Sequence, residues 1–172
     1  MKWLNHIRKP EQKTPISKAF LYTALLFCLG LIIGAIAKLF DIYTTNLENV
    51  FSQISVWVFI CTLISIYSGT AKRAAVNVLC FCLGMLLAYY ITAEMTSSVY
   101  SYIFICGWII FALFSPVMGF CVWYAKGKHW ISTVISIGII VTMLAAAIVL
   151  FDKLRISDIL FTLLTGFILF KK

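Results

Sequence analysis

The chain of 172 residues is 63% hydrophobic and 12% charged, with a mean hydropathy of +1.03, far from the roughly half apolar, quarter charged make-up of water-soluble domains. That balance excludes a soluble fold and leaves room for about six apolar segments of about twenty residues with short links. The net charge of +8 would suggest nucleic acid in a soluble protein, but here the basic residues stand at the ends of apolar runs, where the positive-inside rule puts them, and no nucleic acid partner is expected.

Residues 1–15 form a polar, basic, cytoplasmic segment with Lys2, Arg8, Lys9 and Lys13. Within it Trp3, Leu4 and Ile7 are spaced to lay one face of a short helix on the membrane surface, and Pro10 and Pro15 end it. Residues 16–172 form a single transmembrane domain. Its first span, about residues 18–40, has a small face of Ala19, Thr23, Gly30, Gly34 and Ala37. Gly30 and Gly34 have the G-x-x-x-G spacing that lets two helix backbones approach closely in lipid. Gly30, Gly34 and Ala37 are therefore a candidate docking face, either for another helix of the bundle or for another membrane protein. Ala35-Ile36-Ala37 resembles a signal cleavage site, but the apolar run before it exceeds the usual length and further spans follow, so the segment is expected to remain uncleaved.

Spans two and three, about residues 50–68 and 74–92, meet at the tight basic turn Gly69-Thr70-Ala71-Lys72-Arg73, which makes them a helical hairpin bent in the cytoplasm. On span three Ala74, Asn77, Phe81, Gly84 and Ala88 share a face, so Asn77 points into the bundle among small residues. Span four, about residues 101–125, contains Ser115-Pro116. Proline removes its own N–H and frees the carbonyl four residues back, that of Ala112, which a neighbour, a hydroxyl or water must then satisfy. Span five covers about residues 130–151. The last run, about residues 156–170, would rise only about 22 Å, short of a hydrocarbon core of about 30 Å, and is open to a full span or a re-entrant segment.

Six spans put both termini on one side. On that plan Lys2, Arg8, Lys9, Lys13, Lys18, Lys72, Arg73, Lys126, Lys128, Lys171 and Lys172 lie inside, and only Lys38, Lys153 and Arg155 outside. Of the acids, Glu11 lies inside and Asp41, Glu48, Glu94, Asp152 and Asp158 outside. The chain is thus expected to be an all-α bundle of six transmembrane helices in the cytoplasmic membrane, with N- and C-termini inside.

The six cysteines all fall in apolar runs without C-x-x-C spacing and read as packing residues. The two histidines lie far from any acidic cluster, and no hydrolase or nucleotide motif is present, so neither catalysis, metal nor cofactor is expected. Polar groups at depth are the remaining candidates. Lys38 and Asp41, three apart, form either an interfacial ion pair or, with Glu94, the rim of an outward cavity for a polar or cationic solute. Asn77 either makes an interhelical hydrogen bond or, together with the carbonyl freed at Ser115-Pro116, lines a small polar pocket.

The combination of Gly34-Ala35-Ile36-Ala37-Lys38 with Asp41, Lys72-Arg73-Ala74-Ala75-Val76-Asn77-Val78, Gly84-Met85 with Tyr89-Tyr90, and Ser115-Pro116 followed by Trp123-Tyr124-Ala125-Lys126 resembles a family of small membrane proteins of Gram-positive bacteria with no assigned activity. In size and span number the chain is also similar to the substrate-binding subunits of energy-coupling-factor vitamin transporters, a likeness of architecture. Two functions are carried forward: a non-enzymatic module that binds or transports a small solute, and an accessory subunit that stabilises another membrane complex without a small-molecule ligand.

Overall fold

Apolar residues run right round most segments of this chain, and a backbone with few glycines and prolines in such surroundings satisfies its own hydrogen bonds by coiling into helices. The computed structural model is accordingly all-α, and it describes residues 4–10, 15–43, 53–98, 102–152 and 154–171. Lys2, Trp3, Glu11, Lys13, Glu48, Lys153 and Lys172, which entered the charge count or the surface-helix expectation, lie outside the described residues.

Among the described residues a single turn, α1 (Leu4–Ile7), precedes six α-helices: α2 (Ile16–Tyr43), α3 (Ile54–Ile66), α4 (Ala71–Met95), α5 (Tyr102–Trp123), α6 (Trp130–Phe151) and α7 (Ile156–Phe170). Four of them, α2, α4, α5 and α6, are long and apolar enough to cross a membrane. The other two are shorter. At 1.5 Å per residue α3 rises about 20 Å and α7 about 22 Å. The span expected over residues 50–68 is thus a helix of only 13 residues. Its end is set by polar groups: Ser65 and Ser68 donate to the carbonyls of Cys61 and Ile64, and the chain turns at Tyr67 and Ser68. Thr70 then starts α4 as N-cap, accepting from the Arg73 N–H at 3.2 Å.

Side-chain contacts fix how the helices run. At one end of the bundle Arg8 donates to the last carbonyls of α3 and α5, those of Ile66 and Trp123, each at 2.8 Å. Trp123 Nε1 donates to the Ser68 carbonyl at 2.6 Å, and Lys126 Nζ donates to the carbonyls of Ile168 and Lys171 at 2.5 and 2.6 Å. The start of the chain, the hairpin turn and the C-terminal ends of α3, α5 and α7 therefore share one basic end. Successive helices alternate in direction. One expectation is corrected here: Ile7 is not laid on lipid but buried against Ala71, Ala74, Trp123 and Tyr124, because Arg8 draws the segment under the helix ends.

The hub is α4, half of whose apolar window is buried against 17% for α2 and α5. Against it lies α2, joined by glycines from both sides. A Cβ on Gly30 or Gly34 would sit under 3.0 Å from the carbonyl oxygen of Phe81 or Met85, and one on Gly84 equally close to that of Phe27. The helix seated on Gly30, Gly34 and Ala37 is thus α4 of the same chain. At Gly30 and Gly34 that face is covered within the chain.

The outward faces stay apolar. Phe20, Leu25, Leu29, Ile32 and Ile36 on α2, Ile110, Leu113, Phe114 and Val117 on α5, and Val134, Ile137 and Val141 on α6 are all exposed. Apolar area on that scale is unsustainable in water and natural in lipid.

Candidate functional site

At the end of the bundle away from the basic turn, the i, i+3 spacing on α2 brings Lys38 and Asp41 into an ion pair at 2.5 Å. Tyr89 of α4 donates its hydroxyl to the same Asp41 oxygen at 3.0 Å, and the Lys38 ammonium lies 5.2 Å from the Tyr89 ring centre. Lys38 is only 2% exposed. Its charge is cancelled within the protein, which turns the pair towards a role in seating α2 on α4. Glu94 sits on the exposed side of α4.

Near the basic end, Asn77 is buried and joins three segments. Thr23 of α2 donates to Asn77 Oδ1 at 2.6 Å, Asn77 Nδ2 donates to Ser68 Oγ at 3.0 Å, and Ser68 Oγ donates in turn to the Ile64 carbonyl at 2.7 Å. The amide stitches α2, the hairpin turn and α4 together. Ser115 meets a separate need, donating to the Ala112 carbonyl at 2.7 Å, the group that Pro116 frees. Asn77 and Ser115-Pro116 are therefore satisfied apart, each by its own partners. Asn77 faces α2, whereas Ala74 and Val78 meet Gly119 on α5.

A different cavity does open beside Asn77. It has a volume of about 250 Å³ and is lined by Lys18, Ala19, Tyr22, Tyr67, Ser68, Gly69, Arg73 and Asn77. Its wall comes from the first two turns of α2 and its rim from the hairpin turn and the first two turns of α4. Two cationic side chains, two phenols, a hydroxyl and an amide converge on a space the size of a small polar molecule. Sequence reading had found Asn77 and the basic turn. It missed Lys18, Tyr22 and Tyr67, because only the packing of α2 against the hairpin brings them together.

A third polar group was also missed. Asp158, on the first turn of α7, is 2% exposed. It accepts hydrogen bonds from the Ser55 hydroxyl and from the Arg155 backbone N–H, the latter at 3.1 Å. Beside it Ser157 donates to Gln53 Oε1 at 2.8 Å. Gln53 Nε2 and Thr162 Oγ1 are buried with no partner among the described residues. The available signal was an acid three residues after Arg155 at the head of an apolar run, the spacing of a helix-start acid. Its partner Ser55, 103 residues away, left no trace in the sequence.

Cys61 and Cys82, on α3 and α4, bring their sulfurs to 3.7 Å as free thiols. Among the described residues no group of three or more His, Cys, Asp or Glu gathers as a metal would require.

These features define an all-helical protein with long apolar helices compatible with a membrane, with a basic cavity and buried polar clusters among the described residues. The chain belongs to a family of unknown function, DUF6518, which matches residues 13–153 and so takes in the cavity but not α7. No curated protein and no solved structure matches the chain. The architectural likeness to vitamin-transport subunits accordingly carries no argument.

Proposed function

We propose that this chain is a non-enzymatic binding module of the cytoplasmic membrane, that all six helices cross it with both termini inside, and that its ligand is a small anionic molecule taken up in the cavity at the basic end. The observation that carries this reading is the cavity itself: Lys18 and Arg73 supply positive charge, while Tyr22, Tyr67, Ser68 and Asn77 supply donors around about 250 Å³ of space. The orientation rests on the clustering of Arg8, Lys72, Arg73, Lys126, Lys128 and Lys171 at or beside that end, against Lys38 and Arg155 at the other. The solute site expected at Lys38, Asp41 and Glu94 is less favoured, because Lys38 and Asp41 neutralise each other and Glu94 stands on the exposed side of α4.

Native mass spectrometry of the detergent-purified protein tests the module. A retained small molecule, lost when Lys18 and Arg73 are both replaced by glutamine, supports it. A protein that retains only another polypeptide defines the accessory-subunit reading instead. Phosphatase fusions test the orientation: one after Gly69 is expected to be inactive and one after Ser97 active.

A further inference from the structure

We infer that the group recognised in this cavity is a phosphate ester presented at the membrane surface; the inference rests on the binding-module reading and specifies the ligand's chemistry.

Three properties of the cavity converge on phosphate. The first is charge of one sign. Lys18 and Arg73 line it, none of its described lining residues is acidic, and Lys72 stands next to Arg73 on the first turn of α4. A guanidinium and an ammonium suit a tetrahedral oxyanion, the one as a planar fork of donors and the other as a movable point charge. The second is the backbone. The cavity opens on Gly69 and on the head of α4, a helix of 25 residues, whose positive end adds to the field of the two side chains. Thr70 Oγ1 takes the Arg73 N–H and fixes that helix start beside Gly69. The third is size, since a phosphate with its glycerol ester is a molecule of the order the space admits.

The position of the cavity points to the source. Its lining residues Lys18 and Tyr22 lie on the first turns of α2, flanked by Phe20, Leu21 and Leu25, all exposed on the apolar outer face. Tyr67, on the rim, is 68% exposed. An aromatic and cationic rim directly above a continuous apolar stripe is the arrangement in which a phospholipid places its head group in the pocket and its acyl chains along the helix. A soluble phosphate ester would use the same donors but not the stripe. The lipid form therefore predicts affinity that depends on both parts, and the soluble form affinity that depends on the cations alone.

The experiment uses the full chain in mixed micelles, with phosphatidylglycerol, glycerol phosphate and a phosphate-free diacyl glucosyl lipid as probes, read by native mass spectrometry and by titration. Phosphatidylglycerol is expected to bind at least about tenfold tighter than the glucosyl lipid, to weaken as salt rises, and to lose about tenfold or more in Lys18→Gln/Arg73→Gln. Arg73→Lys, which keeps the charge but not the fork, guards against an effect of misfolding and should lose less. Glycerol phosphate binding as tightly as phosphatidylglycerol supports the phosphate reading with a soluble source. Equal binding of phosphatidylglycerol and the glucosyl lipid, with the double variant unchanged, overturns it. If the purified protein instead retains a phosphate-free anion that the double variant loses, the phosphate inference fails while the binding module stands.

Discussion

Arg8 is the residue whose loss tests the assembled basic end most sharply. Its two terminal nitrogens each donate at 2.8 Å to a carbonyl at the end of a different helix, and its guanidinium lies 4.3 Å from the centre of the Trp123 ring. Carbonyls at a helix C-terminus have no partner within the helix and carry partial negative charge, so a forked cation there satisfies two of them and holds α3 and α5 together. Two hydrogen bonds from a charged donor contribute about 1.5–3 kcal/mol each and the ring contact about 0.5–1 kcal/mol more. Arg8 is only half-buried, so water replaces part of what is lost, and Arg8→Ala is expected to destabilise the protein by about 2–3 kcal/mol. Arg8→Lys should restore less than half of that, because one ammonium cannot span both carbonyls or stack on the ring. Equilibrium unfolding by SDS in mixed micelles provides the measurement. A stability of Arg8→Ala within about 0.5 kcal/mol of the parent protein would refute the account of the N-terminal segment as a clamp.

Gly34→Leu should separate α2 from α4 and lower stability by more than about 3 kcal/mol, whereas Gly107→Ala on α5, where an added Cβ meets nothing within 4 Å, should be neutral or stabilise by up to about 1 kcal/mol; the same unfolding assay reads both. Asp41→Ala leaves the buried Lys38 ammonium without its ion-pair partner and should destabilise by about 3–5 kcal/mol, while Lys38→Met with Asp41→Leu should fall within about 1 kcal/mol of the parent. In the Asp158 cluster, Ser55→Ala should destabilise by about 1–2 kcal/mol and Thr162→Val, which removes a buried hydroxyl lacking a partner, should be neutral or stabilising. A Thr162→Val that destabilises as much as Ser55→Ala would show that the hydroxyl is engaged.

By itself the sequence determined the apolar character of the chain and most of its elements. The apolar runs, the basic bend and the Gly30 and Gly34 spacing follow from local composition and from periodicities of a few residues, and the all-helical structure agrees with them except that Ala71, Lys72 and Arg73, expected in the bend, already belong to α4. Asn77 was legible for the same reason, as one amide on a face of small residues. The helix ends were less so, since α3 stops at Ile66 where serines close its last turn and apolar patterning alone would carry it on to residue 68. The tertiary structure decided which faces meet. Only packing shows that α4 fills the glycine face of α2, that Arg8 bridges two helix ends, and that Asp158 finds Ser55 across 103 residues. It also placed the candidate site, because Lys18 and Tyr22 reach Arg73 and Tyr67 through the crossing of α2 over the hairpin. That crossing is set by close backbone approach at three glycines, a property of two surfaces together that neither segment carries alone.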